Sequence, residues 1–371
     1  FKIFFIIKKI SKKKVNLKFI FFYFPVKVYQ ENMIELIHNL KKKNIYVFLI
    51  YNKYTKDISK IQGSFFLDMG YLKFIPYSNF LLKKINLFIS SYVSYVFPPN
   101  SKNIYICHDI SDSPMVNKKE EKKIFSSFLR LDYIFLSSEI VVDYFKKKFF
   151  KFGHKKSEIP KLINTGYLKL DHVKKKLKKI KSKKEIIFLA PTASYQIKKL
   201  NMSNDLIPVI ENILKKKIQI IYRPHPLDLT KKGNTLLVKK IMNRFKNYKY
   251  FNIDLSKSYL DSYSKAKVLI TDFSGTAYTF AYSTLKPVIF YSKNEQLLKK
   301  GDLSKLKYFK DREELGYVAK NINELLNNIK KISVNEDFLA KKIYRLRKKR
   351  IEHIDNSLFE TTKIILKILR N

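Results

Sequence analysis

Short apolar runs that alternate with helix-like segments are the feature that most restricts the fold of this sequence. The runs KFIFFYF at 18–24 and IYVFLIY at 45–51 are rich in aromatic and β-branched residues, which is typical of buried strands. Residues 29–43 between them have the apolar spacing of a helix, and the same order continues to residue 149. Strands that alternate with helices predict a parallel sheet with helices on both of its faces.

A second series with the same order follows a lysine-rich segment at 172–184, which we interpret as the boundary between two domains. Its strand-like runs are IIFLAPT, IQIIYR, YKYFNI, KVLIT and PVIFY, and from Asn321 onward the pattern is helical. The sequence therefore predicts an α/β fold with two Rossmann-like domains, residues 1–175 and 183–335, that face each other across a cleft. The predicted C-terminal helices, residues 336–371, either brace the first domain or form a surface cap.

The charge of the chain is strongly positive, with 76 Lys and Arg residues against 31 Asp and Glu residues and a formal net charge of +45. Two interpretations stay open. The abundance of lysine and the lack of tryptophan fit the codon bias of an A+T-rich genome. Alternatively, the lysine-rich surfaces and the segment 341–353 bind an anionic membrane surface, where each Lys or Arg contributes about 1 kcal/mol. We expect no nucleic-acid partner, because no recognition motif is present.

The cysteine content and the length of the apolar runs bear on the compartment and on membrane topology. Cys107 is the only cysteine, which excludes an intramolecular disulfide and a multi-cysteine metal site and fits a reducing compartment. No run approaches the roughly 20 apolar residues of a membrane span, so we expect a soluble or peripheral protein. The first ten residues fit a truncated leader or an edge strand.

The most informative motif is KVLITDFSGTAYTFAYSTLKPVIFY at 267–291. A predicted strand ends at Asp272, the small polar turn of Ser274, Gly275 and Thr276 follows, and a helix begins after it. Backbone N–H groups at a helix N-terminus bind a diphosphate well, the two hydroxyls add donors, and the glycine lets the backbone approach closely. Ordinary helix capping by Ser and Thr is the alternative interpretation.

A second motif, YRPHP, lies at the end of the strand-like run IQIIYR. The prolines on both sides of His225 stiffen the turn, and Arg223 carries donors that match phosphate oxygens. Because this turn and Thr192 also follow strands of the same predicted sheet, we expect them to line one ligand site with the first motif. The alternatives are a solvated surface turn at His225 and plain turn chemistry at Thr192.

In the first half of the chain, NIYICHDISDSP places His108 and Asp109 just after a predicted strand. A histidine there can take a proton from an acceptor hydroxyl near neutral pH, and a hydrogen-bonded structural histidine is the alternative. We expect Cys107 to pack as a small apolar residue. Asp109 with Asp112 is a weak cation-binding pattern. Gly166, in the turn that ends the first domain, is a further candidate for the cleft.

Several common catalytic motifs are absent. The sequence contains no glycine-rich dinucleotide or P-loop fingerprint, no Gly-x-Ser-x-Gly elbow and no His-Glu-x-x-His. It also lacks Asp-x-Asp, a common motif for binding a metal ion together with a nucleotide. We therefore expect no cofactor, no metal site, and binding of a diphosphate by backbone dipoles with Arg and His side chains.

The segments IIFLAPT, YRPHP, TDFSGTAYTFAYSTLKPVIFY, ICHD and NTGYLKLD, over about residues 100–295, resemble in their arrangement the CDP-glycerol glycerophosphotransferase family, which includes teichoic acid polymerases. The resemblance implies a GT-B fold with an acceptor-side first domain and a second domain that binds the nucleotide donor. The sequence departs from the family pattern at Asp109, where glycine is usual, at Leu168 and Lys169 in place of Pro-Arg, and at Gly275 in place of a second serine.

The resemblance also implies transfer of glycerol phosphate, or a related polyol phosphate, from a CDP-activated donor with release of CMP. The acceptor would be a hydroxyl of a lipid-linked or polysaccharide chain, reached from the inner, cytoplasmic face of the membrane. Asp272 would shape the turn or contact the donor, and His108 and His225 would be the catalytic residues, with His108 as the base. The residues that would hold the donor diphosphate are Arg223, His225, Ser274, Gly275 and Thr276.

Two other functions stay open on the sequence alone. A GT-B glycosyltransferase with a nucleotide-sugar donor would use the same diphosphate turn but direct the attack to an anomeric carbon. A non-catalytic protein that binds lipid or another polyanion would explain the charge without an active site.

Overall fold

A computed structural model describes residues 18–24, 27–51, 65–68, 85–91, 100–110, 112, 118–180, 186–196, 198–230, 234–256, 258–298 and 304–370. The chain forms two compact units. Unit 1 contains the described residues of 1–109, 117–172 and 351–371, and unit 2 those of 110–116 and 173–350. The first ten residues, for which we expect a leader or an edge strand, lie outside the described residues.

Within the described residues, helices alternate with strands as predicted over residues 19–51 and again from residue 102 to residue 319. The strands are β1 Phe19–Phe24, β2 Tyr46–Tyr51, β3 Phe65–Asp68, β4 Leu87–Ser90, β5 Lys102–Ile106, β6 Tyr133–Leu136, β7 Lys161–Asn164, β8 Ile186–Leu189, β9 Ile220–Tyr222, β10 Phe251–Ile253, β11 Ala266–Thr271, β12 Val288–Tyr291 and β13 Gly316–Ala319. The helices are α1 Lys27–Lys41, α2 Lys118–Phe128, α3 Glu139–Lys151, α4 Leu168–Leu177, α5 Leu206–Lys215, α6 Thr235–Phe245, α7 Leu260–Lys265, α8 Thr276–Thr284, α9 Glu295–Leu298, α10 Lys307–Lys310, α11 Arg312–Leu315, α12 Ile322–Arg350 and α13 Ser357–Arg370.

The sheet of unit 1 has its seven described strands in the order β3-β2-β1-β4-β5-β6-β7, and all neighbours are parallel. Phe22 of β1 lies between Leu49 of β2 and Ile89 of β4. Ile20, Phe22 and Phe24 share the core because side chains two positions apart lie on one face of a strand. The strand order reverses beside β1, which is where open α/β sheets bind ligands.

The last helix, α13, packs in the core of unit 1. Ile365 and Ile368 are buried on the face that meets this core, and Asn39 Nδ2 of α1 donates a hydrogen bond of 3.0 Å to Thr362 Oγ1 of α13. Helix α12 belongs instead to unit 2. The segment 336–371, predicted as one set of C-terminal helices, is therefore divided between the units, and its last helix braces the first unit.

The lysine-rich segment 172–184, which we interpret as the boundary between two domains, begins inside helix α4. Helix α4 continues to Leu177, with Leu170 and Val173 buried on one face. Lysine is a good helix former, and apolar residues three positions apart give the helix a buried face, so residues 172–177 are helical. The two units divide between His172 and Val173, within this segment. Residues 181–185 lie outside the described residues.

The sheet of unit 2 has its six described strands in the order β10-β9-β8-β11-β12-β13, again all parallel. Leu189, Ile270 and Ile289 reach a core that α5 and α12 cover. The strand order reverses between β8 and β11. The predicted strand IIFLAPT ends at Leu189, and residues 190–192 leave the sheet at its carboxyl edge.

Within the described part of the chain, no helix combines the length and the apolar content that a membrane span needs.

Candidate functional site

Three loops leave neighbouring strands of unit 2 at the carboxyl edge of its sheet. They follow β8, β9 and β11, and β8 pairs with both of the others. The first loop contains Thr192, the second Arg223 and His225, and the third the turn 274–276. The structure therefore brings the predicted residues of the second half to one edge of one sheet, at the point where the strand order reverses.

Asp272 fastens the loops after β8 and β11 to each other. Its carboxylate is buried and accepts hydrogen bonds from the backbone N–H groups of Thr192 at 2.9 Å, Phe273 at 2.8 Å and Met202 at 3.1 Å. Burial raises the pKa of Asp272 to about 6, although these hydrogen bonds lower it in part. Of the two roles predicted for Asp272, shaping the turn and contacting the donor, the structure supports the first.

Asp228, also buried, fastens the loops after β8 and β9. Its carboxylate accepts hydrogen bonds from the Ser194 hydroxyl at 2.6 Å, the Ser194 backbone N–H at 3.1 Å and the Asn234 backbone N–H at 3.3 Å. Thr192, a predicted cleft residue, is buried in the first of these loops, and its hydroxyl donates to Gln196 Oε1 at 2.9 Å. The polar groups of Thr192 thus hold the loop in shape.

His225 caps a short 3-10 helix, Pro226–Leu229, and its ring is fixed by that role. The Nδ1 atom accepts a hydrogen bond of 3.2 Å from the backbone N–H of Leu227. The proton of the neutral ring is therefore on Nε2. Burial lowers the pKa of His225, although the charge of Asp228 opposes the effect. His225 is thus a neutral hydrogen-bond donor through Nε2 at neutral pH.

Arg223 is oriented by the end of the neighbouring strand β10. Its Nη1 lies 2.7 Å from Asp254 Oδ2, and its Nη2 donates a hydrogen bond of 3.0 Å to the carbonyl oxygen of Ser256. Burial would raise the pKa of Asp254, but hydrogen bonds from Ser256 and Ser262 and the charge of Arg223 outweigh it, so the pKa lies below its ordinary value. Asp254 is therefore ionised at neutral pH and holds the guanidinium at the same edge as His225.

The small polar turn leads directly into helix α8. The Ser274 hydroxyl accepts a hydrogen bond of 3.4 Å from the Thr276 backbone N–H, and Thr276 Oγ1 lies 3.2 Å from the hydroxyl of Tyr263. Gly275 is exposed with φ −58°, and a Cβ added there would meet nothing within 4 Å. The protein's own backbone therefore does not require glycine at this position, and the absence of a side chain leaves the helix N-terminus open.

In unit 1, His108 follows β5 and its ring is held from two sides. Its Nδ1 lies 3.0 Å from the carbonyl oxygen of Ser91 and 3.1 Å from the hydroxyl of Tyr105, and the hydroxyl of Tyr167 donates a hydrogen bond of 2.5 Å to the His108 carbonyl oxygen. Because a carbonyl oxygen can only accept, Nδ1 carries the proton and the lone pair is on Nε2. This is the tautomer that a general base needs.

The residues next to His108 in the sequence have other roles than catalysis. Cys107 is buried with its Sγ 3.8 Å from the Asp109 carbonyl oxygen, and burial raises the pKa of the thiol, so it packs as a protonated apolar residue. Asp112 belongs to unit 2, where its carboxylate accepts the backbone N–H groups of Lys307 and Tyr308, both at 2.8 Å. Asp112 therefore caps α10, and the structure does not support the cation-binding pattern with Asp109. Asp109 itself is half-buried.

Gly166 has a packing role in unit 1. Its φ is +76°, and an added Cβ would lie 2.9 Å from Ser357 Cβ, 3.0 Å from His353 Cβ and 3.1 Å from the Glu352 carbonyl oxygen. Only glycine fits where this turn meets the segment that leads into α13. The expectation that Gly166 lines a cleft is therefore replaced by close packing against residues 352–357.

Sequence reasoning missed two carboxylates that organise the site, Asp228 and Asp254. Asp254 directly follows the strand-like run YKYFNI, and a polar residue at that position of a parallel sheet is a signal that could have found it. Asp228 lies three residues after His225 and carries no comparable signal, because the Ser194 hydroxyl that it binds is 34 residues away in the sequence.

The comparison with protein families gives one match for this chain. A family model described as CDP-glycerol:poly(glycerophosphate) glycerophosphotransferase matches residues 98–361, which is more than half of the chain and includes the loops described above. No sequence among the curated proteins matches the chain.

Solved structures resemble the chain over nearly its full length. A variant of the wall teichoic acid polymerase TagF has a TM-score of 0.66 at 17% identity and covers 95% of this chain and 89% of its own. The UDP-GlcNAc 2-epimerase of Methanocaldococcus jannaschii, in complex with UDP-GlcNAc and UDP, has a TM-score of 0.60 at 14% identity, with 96% and 100% covered. A glycosyltransferase from Rickettsia africae has a TM-score of 0.57 at 15% identity, with the same coverage. These likenesses show the fold, which is of the predicted GT-B type.

Proposed function

This chain belongs to the CDP-glycerol:poly(glycerophosphate) glycerophosphotransferase family, and we propose on that basis that it transfers glycerol phosphate, or a related polyol phosphate, from a CDP-activated donor to a hydroxyl of a cell-surface polymer. The observation that carries the proposal beyond the family is the edge of unit 2, where buried Asp272 and Asp228 fix three loops around an open helix N-terminus. Such an arrangement suits an anionic diphosphate.

On the donor side, the proposal assigns positioning and charge stabilisation to unit 2. The N-terminus of α8, with the hydroxyls of Ser274 and Thr276, would bind diphosphate oxygens, and Gly275 would let them approach the backbone. Arg223 would add positive charge, and His225 would donate from Nε2. Phosphoryl transfer needs these contributions more than covalent help from the protein.

On the acceptor side, His108 is the proposed base. The acceptor oxygen attacks the β-phosphorus, the bond from that phosphorus to the bridging oxygen breaks, and CMP leaves. The hydroxyl proton passes to His108 Nε2. This nitrogen carries the lone pair because Nδ1 donates its own proton to the Ser91 carbonyl oxygen.

We further propose that the donor is bound without a metal ion. The carboxylates of Asp272, Asp228 and Asp112 accept backbone N–H groups, and Asp254 pairs with Arg223. These four aspartates are therefore occupied by the protein itself. Activity that survives EDTA unchanged would support this part, and activity that EDTA abolishes and Mg²⁺ restores would contradict it.

Peripheral attachment to the inner face of the membrane is part of the proposal, and α13 supports it. Phe359, Lys363, Lys367 and Arg370 form an exposed stripe with spacings of four, four and three residues, on the side away from the core. They line a groove of about 490 Å³ that also contains Lys43. Exposed cations beside an exposed aromatic ring suit an anionic lipid surface.

The membrane part is tested by flotation with vesicles of phosphatidylglycerol and of phosphatidylcholine. Replacement of Lys363 and Lys367 by Gln should weaken binding to the anionic vesicles about thirtyfold, at about 1 kcal/mol for each charge. The charge-matched control is the double replacement of Lys239 and Lys240, which are exposed on α6. Equal binding to the two kinds of vesicle would contradict the proposed membrane attachment. So would a loss of vesicle binding in the Lys239 and Lys240 control that equals the loss in the Lys363 and Lys367 variant.

The reaction is tested by CMP release from CDP-glycerol, with a membrane extract of the source as acceptor and UDP-sugars in parallel. We expect His108→Gln to lower kcat by 10²- to 10⁴-fold, the range of general base catalysis, and His225→Gln by about 10- to 100-fold, the range of one hydrogen bond to a charged group. His38→Gln, on an exposed position of α1, is the control. UDP release without CMP release would indicate that the site belongs to a glycosyltransferase with a nucleotide-sugar donor. Full activity of His108→Gln and of His225→Gln would contradict the catalytic roles proposed for these histidines.

A further inference from the structure

A small pocket of unit 2 lies at the same sheet edge, one strand away from the proposed donor turn. It has a volume of about 150 Å³ and lies between the loop that follows β8 and the end of β12. Thr271 pairs with Phe290, so Tyr291 is next to the start of the donor turn in register. The residues that matter for its chemistry are Lys198, Lys199, Asp205, Tyr291 and Lys293.

Tyr291 lines this pocket and has a buried hydroxyl that is unsatisfied among the described residues. Its side chain is 2% exposed and its ring lies in the core with Ile289 and Leu189. Among the residues that the structure describes, none forms a hydrogen bond with its Oη. A buried hydroxyl without a partner is costly, and native proteins rarely keep one unless something else satisfies it.

The pocket favours an anion. Lys198 and Lys199 are exposed at its rim, and Lys293 pairs with Asp205, so the positive charges exceed the negative one by two among these residues. Burial, and to a smaller extent the charge of Asp205, raises the pKa of Tyr291 to about 12. The hydroxyl is therefore protonated at physiological pH and can donate a hydrogen bond.

The walls of the pocket are fixed before any ligand arrives. Asn294 Nδ2 donates to the Lys199 carbonyl oxygen at 2.7 Å, and Asn201 Nδ2 donates to the Ser194 carbonyl oxygen at 2.9 Å. The next residue, Met202, donates its backbone N–H to Asp272. The loop that forms this pocket is therefore anchored to the donor turn.

We propose that this pocket is a second phosphate-binding subsite, in which Tyr291 Oη donates a hydrogen bond to a phosphate oxygen and Lys198 and Lys199 supply charge. Its volume equals that of about five water molecules, which admits a phosphate group with a few carbon atoms but not a nucleotide. The ligand class is a polyol phosphate, either free or as a phosphate of the polymer chain. The second source rests on the proposed function, and the first does not.

The test is titration calorimetry of the full chain with inorganic phosphate and with glycerol 3-phosphate, repeated for Tyr291→Phe. We expect binding of both probes, weakened about tenfold in the variant, because a hydrogen bond to a charged group is lost while the ring volume is kept. Without ligand the variant should be at least as stable as the wild type, since it removes an unsatisfied polar group. A short glycerol phosphate oligomer that binds more tightly than glycerol 3-phosphate would identify the polymer as the source, and equal binding would identify the free compound.

Matched variants separate this pocket from the donor site. Lys198→Gln with Lys199→Gln should weaken phosphate binding severalfold and reduce its salt dependence, and Lys239→Gln with Lys240→Gln should not. The inference is overturned if Tyr291→Phe binds phosphate as the wild type does, if the wild type binds none at millimolar concentration, or if only His225→Gln loses binding. Because CMP release is measured separately, phosphate binding without CMP release would overturn the proposed function and leave this inference standing.

Discussion

Replacement of Gly166 by Ala tests the packing role that the structure gives this residue. Two costs add at this position. A residue with a side chain at φ +76° costs about 1–2 kcal/mol, because its Cβ crowds the backbone. The new Cβ would also lie 2.9 Å and 3.0 Å from the Cβ atoms of Ser357 and His353, and overpacking of this kind costs about 1–3 kcal/mol. We expect unit 1 to lose about 3 kcal/mol of unfolding free energy.

Two other glycines separate the two costs. Gly153 has φ +86°, but a Cβ added there would meet only open space, so Gly153→Ala carries the backbone cost alone, about 1 kcal/mol. Gly275 has φ −58° and open space, so Gly275→Ala carries neither cost and should change the unfolding free energy by less than about 0.5 kcal/mol.

The assay must follow unit 1 by itself, since a chain with two units need not unfold in one step. Hydrogen exchange of the β1 peptide along a urea series reports unit 1, and a peptide from β11 serves as the reference for unit 2. If Gly166→Ala proves no more destabilising than Gly153→Ala, the close approach of residues 352–357 does not constrain this turn, and the packing argument is refuted.

Two further substitutions test the buried carboxylates. Burial raises the pKa of Asp272 to about 6, above its unfolded value of 3.8, so its contribution to stability is fully present below about pH 4 and is lost as the pH rises through 6. The unfolding free energy of the wild type minus that of Asp272→Asn should therefore fall by about 3 kcal/mol over this pH range. A difference that does not change with pH, or an equal change for the control Asp261→Asn at an exposed position, would contradict this prediction. Asp171 accepts the backbone N–H groups of Asp355 at 2.8 Å and Ser357 at 3.0 Å, so Asp171→Ala should cost about 2 kcal/mol and speed hydrogen exchange in residues 352–370, whereas Asp143→Ala on the exposed face of α3 should not.

The described strands that the sequence predicted lie inside their sheets, except for β10, which is at an edge. The central strands, such as β1 and β8, are continuous apolar runs because both of their faces are covered. Such runs can be predicted as strands from the sequence alone. The missed strands β3, β7 and β13 are all at an edge of their sheet. An edge strand has one neighbour and buries less, as in KLIN and GYVA, so its sequence carries a weak signal.

The candidate site could be placed from the sequence, but the roles within it could not. The rule that ligand residues follow strands of a parallel sheet is enough to select the loops of Thr192, Arg223 and Thr276. It does not tell which polar side chains turn inward. Asp272 and Thr192 are buried because their partners come from loops up to 80 residues away in the sequence, and no local pattern encodes such a pairing.

The use of aspartates as scaffold has a physical reason that also bears on the ligand. A loop that leaves a strand end carries backbone N–H groups that no ladder satisfies, and a buried carboxylate accepts two or three of them at once. Asp272 and Asp228 do this at the carboxyl edge of the sheet of unit 2, where the protein's own N–H groups bind their carboxylate oxygens. The groups left to meet a ligand there are a helix N-terminus, two hydroxyls, a neutral histidine and an arginine, which are donors or cations. An edge built in this way favours an anion, so the burial of its carboxylates supports the diphosphate site that we propose there.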